Sequence, residues 1–166
     1  MSASHSHSRT FQLYADDLLR HHSLLITELE SGAALEAIEN EMSQLWGELE
    51  PDERIEIRKM SSDLNWIRRG FFQAPKGRRS DDVRIEELEE LDRLSAEAQD
   101  DKSEIRKLLA TLRLCLPALD PGFAALGFGR CYIGLDLRSF GEPFLKAAMA
   151  LSRRRAGSRA PTAAAV

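Results

Sequence analysis

Four histidines, two cysteines and several dense runs of charge are the residues of this 166-residue chain that could do chemistry. The histidines come as two pairs, His5/His7 and His21/His22. A His-x-His pair can contribute to a metal site, but a closed site needs three or four convergent ligands, and no Cys or carboxylate is spaced to complete one. His21 and His22 are adjacent, about 100° apart on a helical wheel, so they cannot share the i, i+4 face that a metal-binding pair uses. Both pairs are expected to be solvated or partly packed, with no metal and no cofactor. Cys115 and Cys131 each stand in an apolar stretch, the usual setting of reduced, buried thiols.

The carboxylate runs Glu86-Glu87 and Glu89-Glu90 belong to a segment that carries its apolar stripe elsewhere, so they read as a solvated helix face. The sequence contains no Gly-rich phosphate loop after a strand, no His-Glu-x-x-His, no Gly-x-Ser-x-Gly and no Cys-x-x-Cys. No catalytic residue is assigned, and the chain is read as non-enzymatic. Arg68, Arg69, Lys76, Arg78 and Arg79, with Phe71 and Phe72 beside them, could contact an anion or a membrane surface. The simpler expectation is a basic linker docked on acidic helix faces.

Charge is laid out in blocks around a net of −4. Residues 16–56 hold twelve acids against two arginines, and 57–79 hold seven bases against one acid. Residues 81–104 return to eleven acids against three bases, and 106–159 carry ten bases against three acids. Alternation of this kind brings segments together, or draws in a complementary partner; it does not make a uniformly basic nucleic-acid binder. A hydrophobic fraction of 43% excludes a largely disordered chain. No segment has the roughly 18 consecutive apolar residues of a membrane helix, and the Ser/His-rich start has no apolar signal core. A cytoplasmic location is the expectation.

These residues must be positioned by helices. After a leader at 1–8, a first helix is expected over 9–30, with Phe11, Tyr14, Leu18, Leu25 and Leu29 as its stripe and Gly32 in a left-handed turn behind it. Leu35, Ile38, Met42, Leu45 and Leu49, spaced 3, 4, 3, 4, predict a second helix, which Trp46 widens. Glu50-Pro51 starts a third, carrying Ile57, Met60, Leu64 and Ile67 beside Trp66. The second and third helices are expected to face each other as a hairpin, with both Trp as core anchors. Residues 70–81 form a basic linker between an N-terminal unit at 9–69 and a C-terminal unit at 82–152.

In the C-terminal unit a helix is expected from Asp82 to Gln99. Asp101 with Glu104 opens the next as a capping box, Pro117 ends it, and Asp120-Pro121 opens a sixth. A seventh begins near Asp136 or Ser139. It leaves a basic, Ala-rich tail over 153–166 that is expected to be disordered.

The last helix pair resembles the tetratricopeptide repeat. The residues that carry the resemblance are Ala125, Phe128, Gly129 and Tyr132 in the first helix, Leu135-Asp136 at the turn, and Gly141, Leu145 and Ala148 in the second. Small residues at such positions let two helices cross closely while large ones fill the space around them. Ala125 stands where that family has a large aromatic, and Arg153 where it has a closing Pro. Pro143 requires that Ser139 cap the helix and that the Pro fall in its first turn. The match covers about a fifth of the chain, with the preceding pair as a degenerate neighbour.

The reading is an all-α fold of antiparallel hairpins, a three-helix N-terminal unit packed on a short tetratricopeptide-like pair of helix-turn-helix units. The resemblance implies a non-catalytic adaptor or scaffold that binds a protein or peptide, with Phe123, Arg130 and Tyr132 as the candidate partner-binding residues. Self-association is a further expectation, because two repeats are short for such an array. The alternative is a nucleic-acid or anionic-surface binder acting through the basic linker and tail.

Overall fold

The computed structural model describes residues 6–27, 32–71 and 78–158, and every regular element among them is helical. Seven α-helices follow in order: α1 (Arg9–Thr27), α2 (Gly32–Glu48), α3 (Pro51–Arg68), α4 (Ile85–Glu97), α5 (Lys102–Cys115), α6 (Pro121–Gly134) and α7 (Arg138–Ser158). Among the described residues no helix is long and apolar enough to cross a membrane. The chain forms two compact units, residues 1–70 and 71–166.

In the first unit, the Ser8 hydroxyl caps α1 by accepting from the Phe11 amide at 3.1 Å. His7 and Ser8, expected in a loose leader, are tied to α3. The His7 ring stacks on Phe11 with centroids 4.1 Å apart and reaches Glu56 at 3.1 Å, while the Ser8 amide donates to Glu53. Glu53 also accepts from the Glu50 amide at the start of α3. Partial burial works against its charge, yet the hydrogen bonds from Ser8 and Glu50 hold this carboxyl below the usual range. The rest of the predicted leader, 1–5, lies outside the described residues.

The core of this unit is Phe11, Ala15 and Leu18 of α1 against Ile57, Met60, Leu64 and Trp66 of α3, with Ile38 and Leu49 from the second helix segment. The expected α2–α3 hairpin does not form. α1 packs against both α2 and α3, whereas those two meet only marginally. Their junction is pinned by Arg54, which donates to the carbonyls of Trp46 and Gly47 at the end of α2. The stripe of α2 is consequently half covered: Leu35, Met42 and Leu45 keep partial exposure. Gly32 opens α2, and Gly70, after α3, is the glycine that takes a left-handed φ of 69° among the described residues.

Near the start of the second unit the Arg78 guanidinium reaches Glu87 at 2.5 Å and the Asp82 carbonyl at 3.1 Å. Residues Ser80–Asp82 form a short 3₁₀ turn, which starts α4 later than the spacing suggests. This turn lies against a second one at Leu116–Ala118, where Pro117 follows α5. α5 is capped by Asp101, which accepts from the amides of Ser103 and Glu104. Glu104 turns instead to Lys107 at 2.7 Å. α4 packs on α5, α5 on α6, and α6 most extensively on α7.

α7 differs from expectation at both ends. It begins at Arg138, which puts Pro143 in the second turn, where the missing N–H leaves one intrahelical bond unmade. It also runs on through Arg153, Arg154 and Arg155 to Ser158, and Arg155 pairs with Asp120 at the start of α6. The basic tail is therefore helical as far as it is described, with Arg155 paired to the N-cap Asp120 of α6. Residues 159–166 lie outside the described residues.

Candidate functional site

α6 is held on two sides by closely approaching helices, and this decides what its third side presents. Toward α5, a Cβ on Gly127 would lie 3.1 Å from the Leu112 side chain, and one on Gly134 would lie 2.8 Å from that of Ile105. Toward α7, a Cβ on Gly129 would lie 2.5 Å from Leu145, and one on Gly141 would lie 2.8 Å from the Gly129 carbonyl oxygen. Between these contacts sits an aromatic cluster. Tyr132 meets Phe140 edge-on at 4.8 Å and Phe144 at 5.4 Å, and Phe128 lies 5.3 Å from Phe144.

Tyr132, expected on a partner-binding surface, is 0% exposed and belongs to that cluster. It lies nine residues from Phe123, about two and a half turns, and so on the opposite side of the helix. Its hydroxyl accepts from Arg113 at 3.1 Å, which satisfies the polar end of a buried ring. Tyr132 is a core residue.

Phe123 and Arg130 do reach the surface, with Phe123 48% exposed. Two residues missed by the sequence reading share their face. Phe123, Leu126, Arg130 and Ile133 are spaced 3, 4, 3, which draws a single stripe along the helix. Leu126 is partly exposed and Ile133 is 39% exposed. The spacing itself was a usable signal. It was hidden because α6 is apolar nearly all round, so no polar face marked which side was outward.

The described residues of the basic cluster are partly engaged within their own units. Arg68 donates to Asn65 at 2.8 Å, Arg78 is tied to Glu87, and the Arg79 amide donates to Asp82. Lys76 and Phe72 lie outside the described residues. Hydrogen bonding to the Arg84 amide, then to Arg78, draws the Glu87 carboxyl below its usual range. The linker cations are thus partly used within each unit, Arg78 on the acidic face of α4 as charge patterning suggested.

His21 reaches Glu39 at 3.2 Å, and His22 is buried. Among the described residues no group of three or more His, Cys, Asp or Glu side chains could hold a metal. Cys115 and Cys131 are both buried and outside any disulfide, and burial, then the charge of Glu87, pushes the Cys115 thiol up, away from the nucleophilic thiolate. No family model, curated protein or solved structure matches the chain.

Proposed function

We propose that the protein is a non-catalytic helical interaction module, an adaptor or scaffold of tetratricopeptide-like character, that engages a protein partner through the open stripe of α6. The observation that carries this reading is the exposure of Phe123 and Ile133, with Arg130 between them, on a helix whose other sides are packed to glycine distance. A helix immobilised on two sides presents its third with little conformational entropy left to lose on binding. An aromatic and an Arg are also the side-chain types that dominate interface energetics. Two thiols outside any disulfide fit a cytoplasmic setting. The nucleic-acid alternative is less favoured, because Arg78 and Arg155 already face carboxylates of their own unit.

The test is site-specific photo-crosslinking in cells with a benzophenone side chain at position 123 or 133, and at exposed Glu97 of α4 as control. Partner adducts are expected at 123 and 133, and their loss in a protein that also carries Arg130→Glu. Adducts that form equally at position 97, or that survive the charge reversal, would remove this face from consideration.

A further inference from the structure

The first unit contains a hollow that its own core does not fill. Because α2 and α3 part from their common turn while α1 packs on both, a cleft of about 510 Å³ opens among the three helices. That volume lies within the range of small-molecule sites, about 300–1,000 Å³. Leu18, Met42, Ile57 and Leu64 give it an apolar lining. Trp46, expected as a core anchor, is instead partly exposed along one side, with the Tyr14 ring tilted against it at 5.7 Å.

The charged groups that line the cleft are of one sign, beside the neutral Ser61 and Asn65. The Arg58 guanidinium lies 5.2 Å from the Trp46 ring centroid, and Arg68 is steadied by Asn65 at the other end of the lining. Among the described residues neither arginine has a carboxylate at ion-pairing distance, and no Asp or Glu lines the cleft. Glu39, in an adjoining hollow, is engaged by His21. His22 lines the same cleft and is pushed below its ordinary value by burial, then by the charges of Arg68 and His21. An apolar cleft bordered by two guanidinium groups without carboxylate partners repels cations and gives a bare phosphate nothing for its apolar lining to cover. A carboxylate on an apolar body satisfies both parts, through charge-assisted hydrogen bonds to Arg and contact with the aromatic side.

We infer that the cleft among α1, α2 and α3 binds a small organic anion, a carboxylate carried on an apolar body, with the body against Trp46 and Tyr14 and the carboxylate at Arg58, while Arg68, about 15 Å further along α3, contributes only its positive field. This site is in the other unit from the α6 stripe and stands independently of the protein-binding function.

The test titrates the full-length protein with octanoate, 1-naphthoate, octan-1-ol and octyltrimethylammonium, read by calorimetry and by the two tryptophan indole N–H resonances. Trp46→Phe assigns the pair. Octanoate or 1-naphthoate is expected to bind saturably and move the Trp46 signal while the buried Trp66 signal stays; which of the two binds tells a chain-bodied from a ring-bodied acid. Octyltrimethylammonium should bind at least about tenfold more weakly, and R58Q/R68Q should cost the anion about tenfold or more while sparing octan-1-ol. R58K/R68K, which keeps the charge, should keep the preference for the anion. Both arginines are exposed, so these variants leave the core intact. Equal affinity for all three head groups, no saturable binding, or undiminished octanoate binding by R58Q/R68Q would overturn the assignment.

Discussion

Gly141 faces the backbone of Gly129 across the α6–α7 crossing, so closely that a Cβ on Gly141 would stand 2.8 Å from the Gly129 carbonyl oxygen. The approach has a purpose beyond economy of space. It lets Phe128, Tyr132, Phe140 and Phe144, all buried, close into one cluster from two helices. It is also what leaves the outward stripe of α6 on a fixed support.

Substitution at the two glycines should separate backbone from side-chain crowding. In G141A the new methyl meets a carbonyl that cannot move without shifting α6, and overpacking of this kind costs about 1–3 kcal/mol. In G129A it first meets Leu145, with the Gly141 carbonyl next at 3.2 Å. G129A/L145A should therefore recover part of the G129A loss, whereas L145A should bring G141A nothing. Denaturant midpoints of the four proteins decide it, and equal rescue of both glycine variants would refute the geometry.

Gly47 is the opposite case. Nothing lies within 4 Å of a Cβ built there, in the last turn of α2. G47A should raise stability, by up to about 1 kcal/mol, through helix propensity alone. A thermal melt that falls instead would mean that α2 packs differently at its end.

The all-helical class, the start of α1 at Arg9 and the two glycines of the crossing were legible in the sequence, because each depends on local chemistry: a period, a cap, a missing side chain. What was not legible is what depends on pairing. Leu35, Met42 and Leu45 have the spacing of a buried seam, yet all three keep partial exposure and Met42 lines the cleft, and nothing local distinguishes a covered stripe from a half-covered one. The burial of Tyr132 is illegible for a related reason. On a helix apolar nearly all round, only its neighbours determine which side is core.

The reassignment of Tyr132 predicts a division of effects. Y132F removes the hydroxyl that Arg113 donates to, and should cost about 1 kcal/mol of stability. It should leave partner crosslinking at position 123 unchanged. F123A, on an exposed side chain, should change stability by no more than about 0.5 kcal/mol while abolishing that partner. Should Y132F lose the partner without losing stability, Tyr132 would belong to the interface after all.

The last prediction concerns pH. Burial, then the charges of Arg68 and His21, holds His22 below the ordinary histidine value of 6.5 in the folded protein. Above that value neither the folded nor the unfolded chain protonates the ring, and it adds no pH dependence. As pH falls through 6.5 the unfolded chain takes up a proton that the native state refuses, so His22 lowers stability toward acid until its folded value is passed. Urea unfolding of wild type and H22Q between pH 8 and pH 5 isolates this contribution, since every other titrating group is common to both. The wild type should lose stability on acidification relative to H22Q. Parallel curves would show that the ring titrates normally, and that the cationic character assigned to the cleft is too weak to be felt at its buried histidine.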